Sequence, residues 1–134
     1  MKMGTGIVLA LAAAVITATA TAAPRRALST GSVSLTNADN GRTVVVRAGD
    51  EIRVRLTGGR GQGVTWVWSE PVTSAPATLR RTRGATSPNG DATAVFLAVK
   101  NGESDITSAR RCVPNPGSLC SQAVLQWKVT VDVR

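Results

Sequence analysis

Histidine and tyrosine are absent from this sequence, and other aromatic residues are scarce, with three tryptophans and one phenylalanine. Without histidine, only carboxylates or lysines remain to serve as the general base of an enzyme. Two cysteines alone do not complete a zinc site either. So few rings leave little on which nucleic-acid bases can stack. We therefore expect no catalytic activity, no metal, no cofactor and no nucleic-acid partner.

Acidic residues are few as well, since 8 Asp and Glu stand against 16 Lys and Arg and the formal net charge is +8. Loss of Lys2 with a leader peptide leaves +7. We interpret the excess of arginine as a surface that keeps a domain dispersed in water and attracts it to anionic surfaces.

Long apolar runs are missing except near the N-terminus. Lys2 is followed by an apolar stretch over residues 6–16 and then by small residues, which is the pattern of a secretory signal peptide. The stretch is too short for a membrane span, which needs about 18 or more apolar residues. We predict a signal peptide over residues 1–22 and a secreted, extracellular protein. Cleavage after Ala22 and cleavage after Ala20 both remain open.

Cysteine is limited to Cys112 and Cys120. In an exported chain, an oxidising environment makes a disulfide between them the expected state. We assign residues 23–31 to a polar segment and residues 32–134 to a single domain, because about 110 residues form one core rather than two. We expect this domain to be a monomer.

Short runs of alternating polarity fill the predicted domain at intervals of about 8 to 12 residues, the spacing of a sandwich or barrel. In residues 51–56, apolar and charged side chains alternate strictly, so one face is buried and the other is solvated. We predict an all-β fold, an antiparallel immunoglobulin-like β-sandwich of about 7–8 strands. Strands are predicted at residues 32–35, 43–46, 51–56, 64–68, 78–83, 92–99, 105–110 and 123–133. The aromatic residues assigned to the core are Trp66, Trp68, Phe96 and Trp127.

The connections can be assigned to the two ends of such a sandwich by counting, if each one reverses the direction of the chain. Residues 57–63, 84–91 and 112–122 then lie at one end, and residues 48–50, 70–77 and 101–104 at the other. The first end is basic, through Arg60, Arg83, Arg110 and Arg111. The second is acidic, through Asp50, Glu51, Glu70, Glu103 and Asp105. Because binding residues usually lie on loops of a rigid scaffold, the first end is the candidate site.

Three segments resemble a known family. Residues 40–52 look like a hairpin followed by an alternating strand, residues 63–66 read Gly-Val-Thr-Trp, and residues 96–100 read Phe-Leu-Ala-Val-Lys. In these features the chain is similar to the chagasin-type inhibitors of papain-like cysteine proteases, over nearly all of the predicted domain. The resemblance implies an immunoglobulin-like sandwich that pushes three neighbouring loops into the cleft of a papain-like cysteine protease without being cut.

The resemblance also implies which residues contact the protease. They lie in the three loops at the basic end, and they are Arg60, Gly61, Gln62, Gly63, Val64, Pro88, Asn89, Gly90, Arg110, Arg111, Val113 and Pro114. Where the family has Asn-Pro-Thr-Thr-Gly, residues 59–63 read Gly-Arg-Gly-Gln-Gly, and the aromatic anchor of the third loop is missing. A buried aromatic anchor is worth about 2 kcal/mol or more, and a glycine-rich loop loses more entropy on binding. Both differences predict weaker inhibition.

Several alternatives stay open. The bridged segment carries Val113, Pro114, Pro116 and Leu119, which either form a rigid apolar wedge or belong to a bridge that only stabilises the domain. The whole domain is alternatively a non-inhibitory extracellular module that binds an anionic cell-wall polymer or another secreted protein through its basic end.

Two charged segments also have two interpretations each. Residues 103–105 form either a solvated turn or a calcium site. The arginine run over residues 80–83 either protects an edge strand or holds an anionic polymer.

Overall fold

A computed structural model of the chain describes Gly4 and residues 31–134. Apart from Gly4 and Gly31, the predicted signal peptide and polar segment lie outside the described residues. Within this part, no helix is both long and apolar enough to cross a membrane. The described strands are β1 (Ser32–Thr36), β2 (Thr43–Val46), β3 (Glu51–Leu56), β4 (Gly59–Gly61), β5 (Val64–Trp68), β6 (Val72–Thr73), β7 (Leu79–Thr86), β8 (Ala92–Ala98), β9 (Gly102–Pro114) and β10 (Leu125–Val133). A 3-10 turn, Asn37–Asp39, connects β1 to β2.

The strands form two sheets, which confirms the predicted β-sandwich. One sheet has the order β1-β3-β8-β7, and the other has the order β2-β10-β9-β5-β4 with β6 beside β9. Strict alternation builds the core, because every second side chain of β3 and β10 points inward. Among the predicted core aromatics, Trp68, Phe96 and Trp127 are buried.

The two buried indoles are hydrogen-bonded as well as packed. Trp68 Nε1 donates to the carbonyl oxygen of Thr57 at 3.0 Å, and Trp127 Nε1 donates to the carbonyl oxygen of Thr36 at 3.1 Å. A buried N–H without a partner is costly, so these bonds fix the chain where β3 and β1 end.

Two strand pairs differ from the predicted antiparallel arrangement, because β1 runs parallel to β3 and β2 runs parallel to β10. The other pairs are antiparallel. Each connection between the main strands reverses the chain, so strands separated by an even number of reversals are parallel when they become neighbours. Pattern within a strand says which face is buried but not which strands pair, and the two parallel pairs were therefore not foreseen.

The lengths of some strands also differ from the prediction. The short strands β4 and β6 fall in segments predicted as loops, which brings the described strands to ten. Strand β9 extends from Gly102 to Pro114, beyond the predicted residues 105–110. Its ends lack the alternation of buried and partly exposed residues found at its centre, and hydrogen bonding to β5 and β10 extends the strand there.

The fold favours one of the two interpretations for each charged segment, residues 80–83 and residues 103–105. Strand β7 lies at the edge of its sheet, and its residues after Leu79 are exposed, which favours edge protection as the role of the arginine run. Residues 103–105 lie in β9 rather than in a turn, so their side chains alternate in direction. Ser104 bonds to Thr73 inside, while Asp105 bonds to Thr130 and Lys128 outside, which disfavours a shared calcium site.

Candidate functional site

Three loops lie at the end of the sandwich where β3, β7 and β9 finish. We call them the hairpin loop (residues 57–63), the Asn-Gly loop (residues 87–91) and the disulfide loop (residues 115–124). They correspond to the three connections that counting assigned to the basic end. The third is displaced along the chain, because residues 112–114 belong to β9.

The hairpin loop is a two-residue turn with a hydrogen-bonded stem. Strand β4 pairs with β5 through Gly59 with Trp66 and Gly61 with Val64. The turn residues Gln62 and Gly63 both have positive φ, at 53° and 79°, as a type I′ turn requires. The glycine-rich residues 59–63 were expected to be flexible. Their main chain is instead ordered by the pairing of β4 with β5.

The Asn-Gly loop is closed by its own hydrogen bonds. The N–H of Ser87 donates to the carbonyl oxygen of Asp91 at 2.9 Å, and the N–H of Gly90 donates to that of Ser87 at 3.0 Å. The Asn89 side-chain oxygen accepts from the N–H of Asp91 at 3.1 Å. Pro88 and Asn89 are exposed, whereas Gly90 is buried at the base of the loop with a φ of 97°.

The disulfide loop is braced by the predicted bridge. Cys112 and Cys120 are bonded, with Cα atoms 6.1 Å apart, within the usual range of about 4.4–6.8 Å. Large apolar side chains are nevertheless exposed around the bridge: Leu119 is 96% exposed, Val124 59% and Val113 40%. Exposed apolar residues grouped in this way are typical of interaction surfaces.

The three loops are joined to one another by direct hydrogen bonds. Arg60 Nη2 donates to the carbonyl oxygen of Pro88 at 3.0 Å, which links the hairpin loop to the Asn-Gly loop. The N–H of Asn115 donates to the carbonyl oxygen of Gly63 at 2.9 Å, which links the disulfide loop to the hairpin loop. The hairpin loop therefore lies in the middle of one continuous tip.

Trp66 lies where the bases of the three loops meet. Its register partners are Gly59 at the start of the hairpin and Cys112 at the start of the bridge. Its carbonyl oxygen packs against the main chain at Gly58 and Gly90, so closely that neither glycine has room for a Cβ. The prediction that Trp66 belongs to the buried core is wrong, because it is half-buried where the sandwich opens toward the loops.

Arg110 and Arg111 lie in β9, not in a loop, and they face opposite sides of the strand. Arg110 points inward, with its guanidinium carbon 4.9 Å from the centroid of the Trp66 ring and 5.8 Å from that of Trp68. Arg111 is exposed and pairs in register with Val67 on the outer face. The alternation of a strand gives these neighbours different surroundings.

A groove of about 460 Å³ runs over that outer face, lined by Val67, Ala109, Arg111 and Val124 among others. A second depression of about 350 Å³ continues it to the bridge and shares Arg111 and Val124. Sequence analysis missed Val67 and Val124 as surface residues. Alternation about the inward-facing Trp66 and Trp68 predicts an outward Val67, and alternation in the predicted strand over residues 123–133 puts Val124 on the outward face with Gln126.

The charge of the loop end is left largely uncompensated within residues 31–134. Arg60, Arg83 and Arg111 have no carboxylate oxygen within the 4.0 Å of an ion pair there, whereas Glu51 and Asp105 toward the opposite end pair with Arg53 and Lys128. The same described residues bring together no group of three potential metal ligands. The arrangement suits binding through shape, apolar contact and positive charge.

Comparison with solved structures shows which class of protein shares this fold. The chain is similar in fold to cysteine protease inhibitors of the chagasin type. The similarity to the cysteine protease inhibitor EhICP2 of Entamoeba histolytica has a TM-score of 0.53 at 15% identity and covers 78% of this chain and 97% of that one. The solution structure of amebosin matches with a TM-score of 0.50 at 17% identity, covering 79% of this chain and 100% of the other.

A weaker similarity, with a TM-score of 0.46 at 15% identity over 79% of this chain and 93% of the other, is to PbICP-C, solved in complex with falcipain-2. No protein-family model matches the chain, and no curated protein matches it in sequence. At these identities the similarities concern the fold alone.

Proposed function

We propose that the chain is a secreted inhibitor-like domain that occludes the active-site cleft of papain-like cysteine proteases with the three loops at its basic end. One observation carries the proposal: the hairpin, Asn-Gly and disulfide loops form one hydrogen-bonded tip. The contacts proposed from the sequence are Arg60, Gly61, Gln62, Gly63, Val64, Pro88, Asn89, Gly90, Arg110, Arg111, Val113 and Pro114. Gly90 is buried at the base of its loop and Arg110 points inward, so neither is kept as a direct contact. Leu119 is added to them because it is almost fully exposed.

Pre-organisation of the tip supports tight occlusion. Binding costs less when loops are already ordered, because fewer rotamers and main-chain angles are lost in the complex. The β4–β5 ladder, the closed turn at Asn89 and the Cys112–Cys120 bridge each order one loop before a partner arrives. This order offsets part of the entropy that a glycine-rich sequence loses on binding.

Leu119 supports the apolar part of the contact. A fully exposed leucine on a bridged loop contributes about 1.5–3 kcal/mol when a partner buries it, which is comparable with the aromatic anchor that the chain lacks. Its neighbour in space, Val124, lines the same depression beside the bridge. The wedge interpretation of the disulfide loop is therefore included in the proposal.

The proposed location is extracellular. A disulfide in a small domain is typical of oxidising compartments, and the N-terminal pattern predicts export. We expect the protein to be found in the culture medium. N-terminal sequencing of that material is expected to give a mature chain that begins at residue 21 or 23. Accumulation inside the cell with Met1 intact would contradict it.

Inhibition assays test the proposal directly. The purified oxidised domain is titrated against a panel of papain-like proteases, with residual activity and integrity of the domain both measured. We expect reversible inhibition by an uncut domain, and weaker inhibition by Leu119→Ser. Lys100→Ser, on the turn between β8 and β9 at the other end, is the matched control and is expected to leave inhibition unchanged. Lack of inhibition at high micromolar concentration would remove the proposal.

A second candidate function is binding of an anionic cell-wall polymer or another secreted protein through the same end. Arg60, Arg83 and Arg111 favour it, because exposed cations that have no carboxylate partner within residues 31–134 are available to anions. Binding to isolated cell walls is expected to weaken with salt and with replacement of these three by alanine. Binding that is unaffected by salt and by the three alanine substitutions would exclude this function.

A further inference from the structure

Arg110 occupies an unusual position for an arginine. It lies on the inward face of β9, in register between Trp68 of β5 and Leu125 of β10. Its guanidinium lies over two indole rings, at 4.9 Å from Trp66 and 5.8 Å from Trp68. Its Nε atom is covered from solvent and has no hydrogen-bond partner among residues 31–134. The side chain is therefore held by stacking on the rings rather than by a carboxylate.

The ring closest to Arg110 is the one that connects the loops. Trp66 pairs with Gly59 at the start of the hairpin and with Cys112 at the start of the bridge. An indole at a half-open position can rotate or shift unless something fixes it. A cation placed over its face attracts the ring, and the flat guanidinium adds stacking that an ammonium lacks.

We propose that Arg110 is a positioning residue, which fixes Trp66 and thereby the distance between the hairpin loop and the disulfide loop. Its neighbour Arg111 remains a contact residue of the tip, so the two adjacent arginines have different roles. This inference rests on the proposed function for its effect on inhibition, but its structural part stands on the geometry alone.

The hydrogen bond from Asn115 N–H to Gly63 O reports the coupling of the two loops. Exchange of the Asn115 amide with solvent is measured in the oxidised domain, together with the amide of Val129 in the buried centre of β10 as an internal reference. In Arg110→Met, which removes the charge but keeps an apolar chain, we expect Asn115 to exchange about tenfold faster while Val129 is unchanged. In Arg111→Met, Asn115 exchange is expected to stay at the parent rate.

Inhibition of papain is measured on the same variants. We expect the inhibition constant to rise about tenfold in Arg110→Met through loop misplacement, and to rise in Arg111→Met through loss of a contact. Arg47→Met, in the turn at the opposite end, removes the same charge and is expected to change neither measurement. If Arg110→Met does not fold, both measurements are made on Arg110→Lys, which keeps the positive charge but lacks the flat guanidinium group.

Unchanged Asn115 exchange in a folded Arg110 variant would overturn the proposal. Equal acceleration of Asn115 and Val129 would also overturn it, because that result indicates a uniform loss of stability. If the parent domain does not inhibit papain, the proposed function fails for this protease while the exchange measurement still decides the role of Arg110.

Discussion

Glycine at two positions allows the three loops to approach one another. Gly58 and Gly90 lie against the carbonyl oxygen of Trp66, and a Cβ at either position would collide with main-chain atoms. Main chain cannot yield as a flexible side chain can, so these contacts require glycine. This close approach of main chain to main chain places the Asn-Gly loop beside the hairpin loop, and it does so without any contribution from the side chains of the tip.

Replacement of Gly90 by alanine tests this close approach. The residue has a φ of 97° and no room for a Cβ, so we expect Gly90→Ala to lower the free energy of unfolding by about 2 kcal/mol or more. Gly61→Ala is the matched control, because its Cβ meets nothing within 4 Å, and we expect a change within about 0.5 kcal/mol. Equal urea midpoints for the two variants would contradict the steric explanation.

The Asp39 carboxylate gives the fold a specific pH dependence. The N–H of Thr36 donates to it at 2.7 Å and Arg42 pairs with it at 2.5 Å, and these two contacts lower the pKa of Asp39 below its ordinary value of 3.8. A lowered pKa in the folded state stabilises the protein above the unfolded pKa, and the effect is lost as pH falls through the folded one.

Asp39→Asn is therefore expected to lower the urea midpoint relative to the parent protein at about pH 7, and to match the parent once the pH has fallen below the folded pKa of Asp39. The comparison uses midpoints measured across this pH range in the same buffer series. A gap between the two proteins that stays constant down to the lowest pH would show that the carboxylate charge is not its cause.

At the scale of elements, alternation made part of the fold predictable. The bounds of β2 and β3 were foreseen, because Glu51–Leu56 alternates in polarity, Thr43–Val46 is a run of β-branched residues, and both runs end at turn residues. Strand β4 was not foreseen, since Gly59 and Gly61 have no side chain to alternate and the strand exists only through its pairing with β5. A strand that forms only because it pairs with another strand cannot be predicted from the polarity pattern of its own residues.

The candidate site was predictable in place but not in detail. Counting reversals brings the three loops to one end without knowledge of the sheets, and the fold has them there. The opposite orientations of Arg110 and Arg111, by contrast, depend on β9 continuing to Pro114. That extension depends on hydrogen bonds to β5. The sequence of residues 111–114 contains no apolar pattern from which this pairing could be predicted.

Removal of the bridge distinguishes its two possible roles. Closing so short a segment is worth about 2 to 3 kcal/mol in chain-entropy terms, so Cys112→Ser with Cys120→Ser is expected to lower the free energy of unfolding by that amount. If the disulfide loop is a pre-ordered wedge, the same change also weakens protease inhibition at temperatures where the domain remains folded. Inhibition equal to that of the oxidised parent would leave the bridge with a stabilising role alone.

At the scale of the whole molecule, the two ends differ in how their charges are used. Toward the end opposite the loops, Asp50 accepts hydrogen bonds from the N–H groups of Gly31 and Arg47, and Glu51 pairs with Arg53. These carboxylates hold the fold together locally. Arg60, Arg83 and Arg111 at the loop end have no such partners within residues 31–134, so this end is the one that attracts an anionic or acidic surface.

A bulky label placed at either end decides which end binds. The sequence contains only the two bridged cysteines, so a thiol introduced as Gly61→Cys or Lys100→Cys is the single reactive one in the oxidised domain. Gly61 is at the tip with open space around its Cβ, and Lys100 is exposed beyond the other end of β8. We expect a polymer-maleimide label on Gly61→Cys to abolish protease inhibition, because it separates the tip from the cleft.

The same label on Lys100→Cys is expected to leave inhibition unchanged, and the unlabelled Gly61→Cys variant serves as the control for the substitution itself. A protease held by the side of the sandwich would be insensitive to both labels, and one held by the opposite end would respond to Lys100→Cys alone. Either pattern would contradict occlusion by the three loops, because the label acts through its size and not through any particular contact.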